Sequence, residues 1–145
     1  MRQSLGLIAL ILFVAGLSFV LSAQDQQGAR PMNISLTGAA EAPGPGDPDG
    51  TGMARLIFSP GKSQICYELT VDKIGPASGA HIHAGIAGTA GPPVVTLTAP
   101  ANGSSKECVP LAAEKITDII KNPGNYYINI HNAEFPGGAV RGQLK

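Results

Sequence analysis

From Met32 onward, apolar and polar residues alternate in short runs that predict β-strands. In the first run, Met32, Ile34 and Leu36 share one face of the predicted strand, and Asn33 and Ser35 share the other. The pattern predicts about seven short strands, the clearest of which span residues 32–36, 53–59, 64–71, 94–98, 126–131 and 139–144. Clusters of Gly, Pro, Asn and Asp separate these runs and predict turns.

One segment, residues 111–121, has helical periodicity instead. Its apolar residues recur at spacings of three and four, and the sequence Asn122-Pro123-Gly124 would end the helix. Short strands joined by turn-rich connections are typical of two-layered β folds. We therefore predict an all-β chain, an antiparallel Greek-key β-sandwich with one short helix.

Composition supports this fold class and excludes one class of partner. The 145 residues include 19 Gly and 12 Pro, residues that destabilise helix interiors and disfavour a helical bundle. Only 14% of the residues are charged and the formal net charge is zero. Because binding to phosphates needs a basic surface, we predict no nucleic-acid partner.

The N-terminus has the pattern of an export signal. Arg2 precedes an uncharged, mostly apolar segment, residues 4–23, and a polar stretch follows. We predict a signal peptide over residues 1–23, a short N-terminal linker over 24–31 and one domain over 32–145, in a protein that is periplasmic or secreted. The alternative is an uncleaved membrane anchor, because about 20 apolar residues suffice to span a bilayer. After cleavage we expect no membrane contact.

The chain has two cysteines, Cys66 and Cys108, each in a strand-like run. In an exported protein such a pair predicts a single structural disulfide. The alternative is a reactive thiol pair, although the close Cys-x-x-Cys spacing used for thiol exchange is absent.

Strand alternation gives a direction to each of the three histidines. If Ile82 points into the core, His81 and His83 both face outward, about 7 Å apart along the strand. In the strand over residues 126–131, Ile130 points into the core and His131 therefore faces outward too. All three imidazoles would lie on the outer faces of their strands.

If these strands are neighbours, one metal ion can be bound by His81, His83 and His131. Imidazole suits copper and zinc among the borderline metals, so we predict one copper ion as cofactor, with zinc less favoured. The alternative is that the histidines are structural and hydrogen-bond neighbouring glycine backbones, with no cofactor.

Several motifs carry a resemblance to a known family. They are Gly79-Ala80-His81-Ile82-His83-Ala84-Gly85, Gly88 with Gly91-Pro92-Pro93-Val94-Val95, Asn122-Pro123, Tyr126-Tyr127-Ile128-Asn129-Ile130-His131, and Pro136-Gly137-Gly138-Ala139-Val140-Arg141-Gly142-Gln143-Leu144. In this order, over residues 32–144, they resemble the CHRD domain, named after chordin. The resemblance implies a β-sandwich found in exported bacterial proteins and, in animals, in an extracellular antagonist of bone morphogenetic proteins. It implies no established activity for bacterial members, and the cysteine-rich modules that bind growth factors in chordin are absent here.

A more distant similarity is to the copper-zinc superoxide dismutases, which are also Greek-key sandwiches. In that family a His-x-His strand and a later histidine bind copper, and a downstream arginine guides the anion; His81, His83, His131 and Arg141 stand in the same order. The chain has no fourth histidine to bridge two metals. The similarity therefore implies at most a copper-only site, and we predict no catalytic residue, with dismutation as the enzymatic alternative.

Arg141 alternates with Val140 in its predicted strand. If Val140 packs inward, Arg141 lies on the same side as the histidines. Two roles are open for its guanidinium: attracting anions to the metal, or tying Gly-rich loops to the sheet by hydrogen bonds to carbonyl oxygens.

Two functions from different classes follow from these patterns. The first is an exported CHRD-domain binding module that holds copper, or zinc, through the three histidines. The second is a metal-free extracytoplasmic module that binds a protein or associates with the cell envelope.

Overall fold

The computed structural model describes residues 31–145, which form eight β-strands and one α-helix. The strands are β1 (Met32–Thr37), β2 (Thr51–Ser59), β3 (Gln64–Asp72), β4 (Ala77–Ala84), β5 (Pro93–Leu97), β6 (Ser104–Pro110), β7 (Tyr126–Asn132) and β8 (Val140–Gln143). The helix, α1, spans Ala113–Lys121. The predicted signal peptide, and all but the last residue of the predicted linker, lie outside the described residues. Among residues 31–145, no helix is long and apolar enough to cross a membrane.

All eight strands belong to one antiparallel sheet, in the order β5-β4-β7-β8-β1-β2-β3-β6. Three of the neighbouring pairs, β4–β7, β8–β1 and β3–β6, join strands that are not consecutive in the chain. The chain therefore crosses between the two halves of the sheet, as expected of a Greek-key arrangement. The prediction of an all-β, antiparallel fold with one short helix is confirmed.

The sheet curls so far that its two edge strands, β5 and β6, approach each other. Thr98, which follows β5, donates its backbone N–H to the Tyr67 hydroxyl at 2.7 Å, and its carbonyl oxygen accepts a hydrogen bond from the Ser105 hydroxyl of β6 at 2.7 Å. The fold is thus sandwich-like, but it is built from a single, nearly closed sheet. Side chains rather than a backbone ladder join its edges.

The inner face of the sheet carries the core, and alternation along each strand decides which residues reach it. Ile34 and Leu36 of β1, Ile82 of β4, and Ile128 and Ile130 of β7 are all at most 1% exposed. The helix α1 adds Ile116 and Ile119 to this core. Because the large aliphatic residues are taken by the inner face, the polar residues between them are left for the outer face.

The helix begins two residues later than predicted. Leu111 donates its backbone N–H to the carbonyl oxygen of Ser63, at 2.9 Å, and so stays alongside the β2–β3 turn. The first helical hydrogen bond then runs from the Ile116 N–H to the Ala112 carbonyl oxygen, at 3.0 Å. A contact from outside the segment therefore sets the start of the helix.

Cys66 and Cys108 form a disulfide, and that prediction is confirmed. The two residues lie directly opposite each other in the β3–β6 pair, with their Cα atoms 3.9 Å apart. Cys66 is partly buried and Cys108 is exposed, so the bond lies on the outer face. It fixes β6 to the sheet across a sequence separation of 42 residues.

Candidate metal centre

The three histidines lie together because β4 and β7 are hydrogen-bonded neighbours in the sheet. The antiparallel register places His81 opposite Asn129, His83 opposite Tyr127, and His131 opposite Gly79. One ring nitrogen from each histidine lies within 4.8 Å of the other two. The condition that the sequence left open, adjacency of the two strands, is met.

The outer face at this point is covered by protein, which strand alternation alone does not predict. His83 is only 8% exposed, because the loop of residues 85–92, called the 85–92 loop below, folds back over it. The loop is closed at its base by a hydrogen bond of 3.0 Å from the Ala84 N–H to the Pro92 carbonyl oxygen. His81 and His131 are partly exposed. Of the three rings, that of His83 is therefore the one enclosed by the loop.

Hydrogen bonds to backbone carbonyls orient two of the three rings. Nδ1 of His83 lies 2.8 Å from the Gly91 carbonyl oxygen, and Nδ1 of His131 lies 3.0 Å from that of Pro136. Since a carbonyl oxygen only accepts, we assign the hydrogen to Nδ1 in both rings, which leaves Nε2 of each neutral ring with a free lone pair. Such carbonyl partners are the usual support of metal-binding histidines.

Each histidine retains one buried ring nitrogen that has no hydrogen-bond partner in the described part of the chain. These atoms are Nδ1 of His81, Nε2 of His83 and Nε2 of His131. A buried, unpaired polar atom is costly, and three of them close together are best explained by a common ligand.

The environment favours the neutral form of two of the rings, those of His81 and His131. Burial is the main cause that lowers the pKa of His81 below 6.5, and the nearby His131 and His83 rings lower it further. Burial also lowers the pKa of His131, with a smaller contribution from His83, although its bond to the Pro136 carbonyl opposes the shift. Metals bind the neutral ring, so the lowered pKa values favour coordination at pH 7.

The donor set fits copper or zinc. It consists of three imidazole nitrogens, and both cysteines are in the disulfide. Two nitrogens that bind one ion at about 2.1 Å can be no more than about 4.2 Å apart. The ring nitrogens lie up to 4.8 Å from one another, so the distances between them must shorten when an ion binds. His81 is the ring that is free to adjust, because no hydrogen bond from residues 31–145 holds its Nδ1.

Arg141 lies on the same outer face as the histidines, but it is 1% exposed. Its guanidinium donates to the carbonyl oxygens of Thr89, at 2.8 Å, and Ile86, at 3.0 Å, both in the 85–92 loop. It also stacks on the Tyr127 ring, 3.4 Å from the ring centroid. These are the contacts of the structural alternative, in which Arg141 ties a Gly-rich loop to the sheet.

Two polar residues that the sequence did not single out lie on the same face, near Arg141. Burial raises the pKa of Glu41 to about 7, even though the Arg141 charge, Asn129 and the Ala42 backbone act to lower it. Oε1 of Glu41 and Oδ1 of Asn129 are buried and accept no hydrogen bond from any of residues 31–145. Alternation places Asn129 beside the histidines. Glu41 follows β1 in a turn-rich loop without apolar periodicity, where no pattern marks it.

Comparison with known proteins adds a family. The sequence model of the CHRD domain matches residues 32–144, which include every strand and all three histidines. No curated protein and no solved structure matches the chain. The match covers most of the chain and confirms the resemblance seen in its motifs. The chain therefore belongs to the CHRD domain family.

Proposed function

We propose that this chain is an exported binding module that holds one copper ion, with zinc as the less favoured ion, through His81, His83 and His131. Two observations carry the proposal: one ring nitrogen from each histidine lies within 4.8 Å of the other two, and each ring has a buried nitrogen without a hydrogen-bond partner among residues 31–145. The carbonyl bonds to His83 and His131 support it, because a ring that donates from Nδ1 to a carbonyl oxygen keeps the lone pair of its Nε2 for a metal.

Export is supported by the family and by the disulfide. The CHRD domain is a module of extracellular type, and disulfides persist in oxidising compartments outside the cytosol. We place the mature chain in the periplasm or outside the cell. In that setting the histidines meet metal ions without the thiols that compete for copper in the cytosol.

Three nitrogen ligands leave at least one coordination position for water or a small exogenous ligand. Bound copper would supply Lewis acidity and one-electron redox chemistry at that position. The protein contributes three imidazole donors and a loop that shields His83 from solvent. Because the Arg141 guanidinium is buried and engaged with carbonyl oxygens, we assign it no role in attracting anions.

Titration of copper(II), zinc, magnesium and calcium into the metal-free protein tests the proposal. We expect one copper(II) or one zinc ion per chain and no saturable binding of magnesium or calcium, which prefer oxygen ligands. Affinity for copper(II) should change little down to pH 6.5 and fall at lower pH, because the lowered pKa values of His81 and His131 shift proton competition below the ordinary histidine value of about 6.5. Isothermal titration calorimetry at pH 7.5, 6.5 and 5.5 measures both effects.

Metal analysis of protein purified from its native exported compartment, without added metal, is the companion measurement. Copper near one equivalent per chain supports the proposal, and zinc at that level identifies the less favoured ion. A protein that carries no metal and shows no saturable binding would contradict the proposal and favour the metal-free interaction or envelope module.

A further inference from the structure

The ring of His83, one of the three proposed metal ligands, lies in a stack with two other side chains. Tyr127 projects from β7, which lies between β4 and β8 in the sheet. The His83 and Tyr127 rings are nearly parallel, with an interplanar angle of 9° and centroids 4.8 Å apart. The Arg141 guanidinium from β8 lies 3.4 Å from the Tyr127 ring centroid. The tyrosine ring is therefore held between the imidazole and the guanidinium.

The same arginine also holds the backbone that orients His83. Its two bonds to the carbonyl oxygens of Thr89 and Ile86 fix the 85–92 loop, and that loop presents Gly91 to the site. The Gly91 N–H donates to the Tyr127 hydroxyl at 3.2 Å. The Gly91 carbonyl oxygen accepts the bond from Nδ1 of His83.

Gly91 has to be a glycine for this arrangement to form. A Cβ atom at residue 91 would lie 1.6 Å from the carbonyl oxygen of Ala84, so no side chain fits. By contrast, His131 receives its carbonyl partner from Pro136, in the β7–β8 loop. The contacts of Arg141 thus converge on His83 and not on His131.

We propose that Arg141 and Tyr127 form a clamp that sets the tautomer and orientation of His83, and through them the metal affinity of the site. This inference rests on the proposed function. The guanidinium acts through Tyr127 and the loop and touches no ligand atom, so Arg141 is a positioning residue. Its positive charge repels a metal cation; the benefit to affinity therefore comes from its planar fork, which a lysine with the same charge does not reproduce.

Arg141→Lys tests the clamp with the charge preserved. We expect copper(II) affinity to fall about 10- to 100-fold, the usual cost of losing an outer-shell partner. In a His83→Ala background the same substitution should cause no further loss, and in a His131→Ala background it should still cause one. Additive losses in the His83→Ala background would overturn the clamp, as would an unchanged affinity in the single variant.

A readout in the metal-free protein separates the clamp from the proposed function. With ¹⁵N-labelled histidine, NMR reports the tautomer of each ring, and we expect Arg141→Lys to shift His83 away from the form protonated on Nδ1 while His131 is unchanged. An unchanged His83 signal would overturn the clamp even if the wild type binds copper. If the wild type binds no metal, the proposed function fails, whereas this comparison still decides the clamp.

Two further variants guard against a general loss of folding. Leu69→Ala truncates the core in β3, and we expect its destabilisation to leave the His83 tautomer unchanged; a change of similar size would overturn the clamp. Tyr127→Phe keeps the stack and removes the bond to Gly91, and it serves if Arg141→Lys does not fold. Its smaller loss of copper(II) affinity should also vanish in the His83→Ala background, and persistence there would contradict the proposal.

Discussion

Replacing any one of His81, His83 or His131 with Ala is expected to weaken copper(II) binding about 100-fold or more. The loss of an outer-shell partner alone costs about 10- to 100-fold, and each substitution removes a ligand atom as well. Two imidazoles also leave the ion with an incomplete donor set. Isothermal titration of copper(II) into the wild type and the three single variants measures the effect.

Thr96→Ala is the matched control for these variants. Thr96 lies opposite His81 in the β4–β5 pair, is exposed, and has no side-chain nitrogen to offer a metal. Its copper(II) affinity should equal that of the wild type. His83→Ala also removes the shorter of the two hydrogen bonds to the Gly91 carbonyl oxygen, so circular dichroism should establish that this variant is folded. Wild-type binding no tighter than that of the histidine variants would leave the histidines as structural residues.

Loss of the disulfide should be the largest change in stability. Replacing Cys66 and Cys108 together with Ala is expected to lower the free energy of unfolding by roughly 4 kcal/mol, because the bond closes a sequence separation of 42 residues. For a domain of this size the melting temperature should fall by roughly 10 to 20 °C. Thermal unfolding of the double variant, and of the reduced wild type, measures the effect.

Hydrogen exchange should show which strand loses protection when the disulfide is removed. Within residues 31–145, strand β6 is an edge strand and β3 is its only partner in the backbone ladder, so its amides should lose protection before those of β7 in the middle of the sheet. A thiol assay on the unreduced, unfolded wild type is the control and should detect no free thiol. Two free thiols per chain would contradict the disulfide, and an unchanged melting temperature in the double variant would contradict its role.

The strands and their inner faces were predictable because the aliphatic residues alternate without ambiguity. Ile82 between His81 and His83, and Ile130 before His131, decide the direction of each imidazole. The order of strands in the sheet was not predictable in the same way. It depends on pairings between distant segments, such as β4 with β7, which no local pattern encodes.

The candidate site was predictable only up to the identity of its histidines. In His83 and His131, the carbonyl groups of Gly91 and Pro136 determine which ring nitrogen is free. Both carbonyls lie in loops, and the conformation of a loop produces no periodic pattern in the sequence. The burial of Arg141 has the same origin, since the 85–92 loop that covers it is rich in Gly and Pro. The alternation that placed Arg141 on the outer face does not reveal that this face is covered.

The central claim, that the three histidines form one metal centre, is tested most directly by a crystal structure of the copper-loaded protein with anomalous diffraction at the copper absorption edge. The account predicts one anomalous peak per chain, about 2.0 to 2.1 Å from Nδ1 of His81, Nε2 of His83 and Nε2 of His131. The Nδ1 bonds of His83 and His131 to the Gly91 and Pro136 carbonyls should be retained. A copper ion bound elsewhere, or no anomalous peak among these nitrogens, would contradict it.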